Sequence, residues 1–140
     1  ISMDYSSVEK LAKRDYLGSL EWNGGVFRSR LQNPDIKYGY PKEGFALWMD
    51  NAVVLKDAGN VENAKLFQNY LMTPEAAGLN STFARYANAI KGSEAFMPDD
   101  MKTASEIVIP KELESKGRFI DVCPPDVTEL YSAIWKEVLR

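Results

Sequence analysis

An almost unbroken apolar segment, FALWMDNAVVL at residues 45–55, divides the chain into two parts with different hydrophobic patterns. Only Asp50 and Asn51 interrupt it, and the segment is longer than an ordinary strand. Strand-like alternation precedes it, whereas helical spacing dominates from residue 56 onward. Strands mixed with helices predict an α/β fold. The length of the segment also predicts a crossover that links two lobes of a larger protein.

The first part of the chain predicts a short helix followed by two short strands around a second helix. The sequence SSVE at 6–9 predicts a capping box that begins the first helix, which should run to about residue 16. Residues 17–22 and 36–40 alternate like strands, and the Asn-Gly-Gly sequence at 23–25 predicts a sharp turn. Residues 26–31 have helical character, which Pro34 should end.

The second part predicts mainly helices. Asn60 and Thr73 are good N-cap residues, and each precedes a helical pattern. Residues 107–109 predict a brief buried strand. The clearest element is an amphipathic helix that begins after Pro124. We expect its apolar face, Trp135 included, to be buried; this face consists of Val127, Leu130, Tyr131, Ile134, Trp135 and Val138.

Composition excludes several classes of function. The chain has no histidine among its 140 residues, which removes Ser-His-Asp and Cys-His nucleophile sites and every His-ligated metal site. The single Cys123 excludes an internal disulfide and any CxxC cluster. A net charge of −3 with scattered basic residues argues against a nucleic-acid partner. We therefore expect no cofactor and no nucleic acid.

Trp48 and Asp50 form the most suggestive pair of side chains. In an extended segment, residues two apart share a face, so the indole and the carboxylate should lie side by side. A π-face and a full negative charge both favour an organic cation. The alternative is that Trp48 packs in a core and Asp50 simply ends a strand.

Two other aromatic residues are ambiguous on their own. Trp22 ends a predicted strand beside the Gly24-Gly25 pair, where an aromatic residue either lines a cleft or fills a core. Tyr86 follows a predicted helix and either faces a cleft or packs on that helix. No residue pattern points to catalysis.

Five motifs occur in an order that resembles one protein family. They are WNG at 22–24, YPKEG at 40–44, WMD at 48–50, FQNYLMTPE at 67–75 and YAN at 86–88. Together they resemble the carboxy-terminal part of the periplasmic spermidine/putrescine-binding proteins of ABC transporters. The PKEG and WMD motifs are the specific ones, whereas the segment at 67–75 is shared by many solute-binding proteins.

The resemblance implies a periplasmic binding protein-like (type II) two-lobed fold, of which this chain is the C-terminal portion. Residues 1–45 and 100–140 would belong to the second lobe, and residues 49–95 to the first lobe. Crossover strands would lie near 46–50 and 95–100. The partner implied for the fold is the missing N-terminal half of the same protein or a second copy.

The resemblance also implies a function and a set of site residues. Trp22 and Trp48 would sandwich the methylenes of a polyamine, Asp50 would pair with an ammonium group, and Tyr86 would contribute a cleft tyrosine. The protein would be a periplasmic, non-enzymatic receptor that delivers putrescine, spermidine or a related small organic cation to an inner-membrane ABC permease. The alternatives are a receptor for another small amino-group-bearing solute, or a carbohydrate-binding module or glycosidase.

Overall fold

The computed structural model describes residues 6–138, which form mainly helices together with one short pair of parallel strands. Residues 1–5 and 139–140 of the predicted second lobe lie outside the described residues. The α-helices and strands are, in chain order, α1 (Ser7–Ala12), α2 (Asn23–Gln32), β1 (Phe45–Leu47), α3 (Val61–Leu71), α4 (Pro74–Ala84), α5 (Asp99–Thr103), β2 (Gly117–Phe119) and α6 (Pro125–Val138). Two 3₁₀ helices cover Ser93–Phe96 and Lys111–Lys116. The mixed helix and sheet content agrees with the α/β prediction.

The sheet pairs β1 with β2 in parallel, and Ala46 lies opposite Arg118. Gly44 precedes β1 with a φ of 126°, in the left-handed region that favours glycine. A β-carbon at this position would lie 2.7 Å from the carbonyl oxygen of Lys116, which directly precedes β2. Glycine therefore allows the two strands to come together at their first residues.

Local signals for the helices after residue 56 are confirmed. The Asn60 side chain accepts a hydrogen bond from the backbone N–H of Asn63 at the start of α3. The Thr73 hydroxyl accepts one from the N–H of Ala76 at the start of α4, with Pro74 at the first helical position. Each cap satisfies an N–H group that has no partner within its helix.

The strand predictions outside 45–47 were wrong. Residues 17–22 and 36–40 have no strand conformation, and residues 107–109 turn back because the N–H groups of Ile107 and Val108 both donate to the Ala104 carbonyl. Residues 48–55 are also not a strand. Residues 95–100 hold the end of a 3₁₀ helix and the start of α5, and Met97 and Pro98 between them are extended without forming a strand. Whether the segments near 46–50 and 95–100 cross between two lobes stays a prediction. A strand requires a hydrogen-bonding neighbour, and within residues 6–138 only β1 and β2 find one.

The Asn-Gly-Gly sequence at 23–25 begins α2 instead of forming a turn. Trp22 is the N-cap residue in an extended conformation, and both glycines are buried in the first helical turn. The Asn23 side chain donates to the Glu106 carbonyl oxygen at 2.7 Å, which fixes the start of the helix. These tertiary contacts override the turn preference of the sequence.

The main cluster of buried apolar side chains joins α2 to the region around α5. Phe27 and Met101 are fully buried and pack with Ala104, while Met97 and Ile107 cover the cluster. Two guanidinium groups flank the Phe27 ring, that of Arg30 at 4.7 Å and that of Arg85 at 5.2 Å from its centroid. This cluster holds α2 in place.

A buried ion pair is the second contact that holds α2 against the turn around Glu106. The Arg30 Nε donates to Glu106 Oε1 at 2.6 Å and its Nη2 donates to Oε2 at 3.3 Å. The Glu106 side chain is only 2% exposed. Nearby, the Tyr40 hydroxyl donates to the Ser105 carbonyl oxygen, and burial raises the pKa of Tyr40 to about 12. The turn that carries Glu106 is thus tied to α2 and to the segment before β1.

The terminal helix forms as predicted, but its apolar face is not buried. Trp135 is 47% exposed, and no residue of α6 is buried. The prediction of a core role for Trp135 was therefore wrong for this chain. The pattern fixes which side chains share a face of the helix, but burial also needs a second surface, and none covers this face within residues 6–138.

Candidate ligand-binding site

Four residues predicted from the motifs line one pocket of about 270 Å³: Trp22, Trp48, Asp50 and Tyr86. Trp22 stands at the N-terminus of α2, Trp48 follows β1, and Tyr86 lies two residues beyond the end of α4. Three separate parts of the chain therefore converge on the pocket. Whether these side chains bind a ligand stays a prediction.

The aromatic rings form a continuous edge-to-face row. The Trp22 and Trp48 ring centroids are 5.6 Å apart with planes inclined at 75°, and those of Trp48 and Tyr86 are 5.1 Å apart at 83°. Such geometry is one of the two favoured for aromatic pairs, because the positive edge of one ring meets the negative face of the next. Both tryptophans stay accessible in this row: Trp22 is 57% and Trp48 41% exposed.

Asp50 supplies the carboxylate among the four residues that line the pocket. It is exposed, and it follows Trp48 in a segment that leads toward α3. The Gln68 side chain of α3 donates to the Ala52 carbonyl oxygen at 2.8 Å and so holds this segment near the helix. Trp48 and Asp50 reach the same pocket, as their spacing in the sequence predicts.

Tyr86 is positioned by the way α4 ends. Arg85 caps the helix in the left-handed conformation with a φ of 62°, and its N–H donates to the Ser81 carbonyl oxygen. The Arg85 guanidinium contacts Asp100 at 3.3 Å, so the side chain anchors this unusual backbone conformation. The reversal carries the following residue, Tyr86, toward Trp48. The reading of Tyr86 as a residue packed only on its own helix is thus wrong.

The arrangement can hold an organic cation with an aliphatic chain. Indole and phenol rings pack against methylene groups and attract a cation to their faces, while a carboxylate can pair with an ammonium group. Within residues 6–138, no group of three or more His, Cys, Asp or Glu side chains could hold a metal ion. No helix in this range is long and apolar enough to cross a membrane.

Comparison with known proteins finds relatives that are named as polyamine-binding proteins. The chain is 26% identical over 137 residues to the putrescine-binding periplasmic protein PotF of Escherichia coli, covering 94% of this chain and 37% of the relative. It is 23% identical over 123 residues to a putrescine/agmatine-binding protein of Pseudomonas aeruginosa, covering 84% and 34%. A spermidine/putrescine-binding periplasmic protein of Escherichia coli is 38% identical over 56 residues, covering 40% and 16%.

This chain is similar to periplasmic polyamine-binding proteins. The resemblance predicted from the motifs is thereby confirmed, and the names of these relatives describe binding proteins rather than enzymes. The chain spans little more than a third of the length of the first two relatives. No protein-family model matches the chain, and no solved structure matches it either.

Sequence reasoning missed two groups of residues near the pocket. Gly24 and Arg28 contact Tyr86, and Arg30 with Glu106 holds α2, whose first residues lie beside the pocket. The sequence predicted that this helix begins at residue 26. A predicted start at residue 23 would have placed Gly24 and Arg28 on the same face of the helix. The sequence contains no local signal for the pair of Arg30 and Glu106.

Proposed function

We propose that this chain forms part of a periplasmic receptor that binds putrescine, spermidine or a related small organic cation and delivers it to an ABC permease of the inner membrane. One observation carries the proposal: the two indoles, the phenol and the carboxylate that the motifs single out line a single pocket. Relatives named for the binding of putrescine, agmatine or spermidine support the same class of ligand.

The chemistry of the pocket matches a diamine or triamine. The methylene chain of such a ligand would cover exposed surface of Trp22 and Trp48, which removes apolar surface from water. Asp50 would pair with a terminal ammonium group. A volume of about 270 Å³ is small for a ligand pocket, and it suits a short, unbranched ligand.

The same pocket gives little support to a glycosidase. Hydrolysis of a glycosidic bond generally uses two carboxyl groups on opposite sides of that bond. Asp50 is the one carboxylate among the residues that line the pocket in the described part of the chain. A receptor for another amino-group-bearing solute stays the closer alternative.

Isothermal calorimetry on the full protein that carries this sequence tests the proposal. We expect saturable binding of putrescine or spermidine, and no binding of an uncharged diol with the same carbon chain, because the diol cannot pair with Asp50. Heat from the diol equal to that from the diamine would contradict a cation site. Agmatine and basic amino acids, measured alongside, distinguish the polyamine receptor from a receptor for another amine.

The described part of the fold also supports a two-lobed receptor in which this chain contacts further polypeptide. Parallel strands are normally covered on both faces by other elements, and here only two strands pair. The apolar face of α6 is uncovered as well. We assign these surfaces to contacts with polypeptide that corresponds to the part of the relatives outside the region this chain matches.

The 140-residue chain on its own should therefore self-associate. Exposed apolar faces and unpaired strand edges favour association between copies. Light scattering should give a mass above that of one chain, and Trp135→Glu should lower this mass by introducing a charge into the apolar face of α6. Lys136→Glu, which changes the charge on the next residue of the same helix, is the control. A monomeric wild-type chain at all concentrations would contradict the prediction.

A further inference from the structure

Gly24 lies where the first turn of α2 meets the ring of Tyr86. A β-carbon at this position would lie 2.6 Å from Cζ and 2.7 Å from Cε1 of Tyr86. Non-bonded carbon atoms in proteins keep a distance of about 3.5–4.0 Å. The tyrosine ring therefore occupies the space that the side chain of any other residue at position 24 would need.

Arg28 contacts the same ring from the next turn of α2. Residues four apart share one face of a helix, so Gly24 and Arg28 form a single surface for Tyr86. The Arg28 guanidinium carbon lies 5.9 Å from the Tyr86 ring centroid, and its Nη1 donates to the Ala84 carbonyl oxygen at 2.5 Å. Arg28 thus ties α2 to the end of α4, close to Tyr86.

The contact matters for the pocket because the same ring also packs against Trp48. Tyr86 stacks edge-to-face on Trp48, and Trp48 stacks on Trp22. A shift of Tyr86 that makes room for a β-carbon would therefore disturb its contact with Trp48 and the shape of the pocket that both rings line. Closely packed rings of this kind transmit such a shift, because a well-packed contact has no empty space to absorb it.

We infer that Gly24 is a positioning residue for the ligand pocket: its missing β-carbon lets the Tyr86 ring lie against α2, where the ring forms the third aromatic wall. The role of this wall in binding an organic cation rests on the proposed function. The contact between Gly24 and Tyr86 does not.

The test is Gly24→Ala in the full protein. We expect a changed near-ultraviolet circular dichroism spectrum without ligand, because the Tyr86 and Trp48 rings lose their packing. We also expect polyamine affinity to fall about fivefold to tenfold, the loss that corresponds to one displaced aromatic contact. Gly18→Ala is the matched control, since a β-carbon at Gly18 meets no atom within 4 Å. It should change neither the spectrum nor the affinity.

A double-mutant cycle separates this mechanism from a general effect on the start of the helix. In a Tyr86→Leu background the ring is gone, so adding Gly24→Ala should cause little further loss. An equal loss in both backgrounds would overturn the inference, as would an unchanged spectrum or unchanged affinity for Gly24→Ala. If the wild-type protein binds no polyamine, the proposed function fails, and the spectrum of Gly24→Ala alone decides the positioning role.

Discussion

Replacing Asp50 with asparagine should weaken polyamine binding by the full protein at least about 30-fold. We expect the bound ligand to exclude water from the Asp50 carboxylate, and losing one member of such a desolvated charge pair costs about 2–5 kcal/mol. The substitution keeps the size of the side chain and removes its charge. The ammonium group of the ligand would then lie beside the aromatic rings without a carboxylate. Calorimetry on the wild type and the variant measures the ratio of dissociation constants directly.

Asp57→Asn is the matched control for this experiment. Asp57 is also exposed, lies seven positions further along the chain, and is not among the residues that line the pocket. The Asp57→Asn substitution also removes one negative charge, so any general electrostatic effect on a cationic ligand appears in both variants. Equal affinities of Asp50→Asn and the wild type would remove Asp50 from the site.

Replacing Arg30 with alanine should destabilise the protein by about 3 kcal/mol, the low end of the range for breaking a buried ion pair. The substitution leaves the Glu106 carboxylate without its partner, and this carboxylate is almost fully buried. The low end of this energy range applies because 34% of the Arg30 side chain is exposed, so water can partly replace the lost guanidinium group. Denaturant unfolding of the full protein, followed by a probe of this region, measures the change.

Two further variants identify the cause of that loss. Adding Glu106→Gln to Arg30→Ala should recover part of the stability, because the stranded charge disappears. Lys65→Ala, which breaks the exposed pair of Lys65 with Glu62, should cost no more than about 0.5 kcal/mol. If Arg30→Ala costs no more than Lys65→Ala, the buried pair does not hold α2.

Features that depend on neighbours along the chain were predictable from the sequence. The N-caps Asn60 and Thr73 act within three residues, so their hydrogen bonds follow from local order alone. The apolar face of α6 follows from helical periodicity in the same way. The pocket residues came from the motifs, and the two-residue spacing of Trp48 and Asp50 predicted that both would face one site.

Features that depend on distant partners were decided by the tertiary structure. The strand patterns at 17–22 and 36–40 formed no strands, because pairing requires a neighbour that the pattern does not specify. Arg30 and Glu106 are 76 positions apart, and no local signal connects them. The burial of Trp135 likewise depends on a covering surface. The sequence determined which side chains share a face, whereas long-range contacts determined which of those faces have a partner, because burial and pairing are properties of two surfaces rather than one.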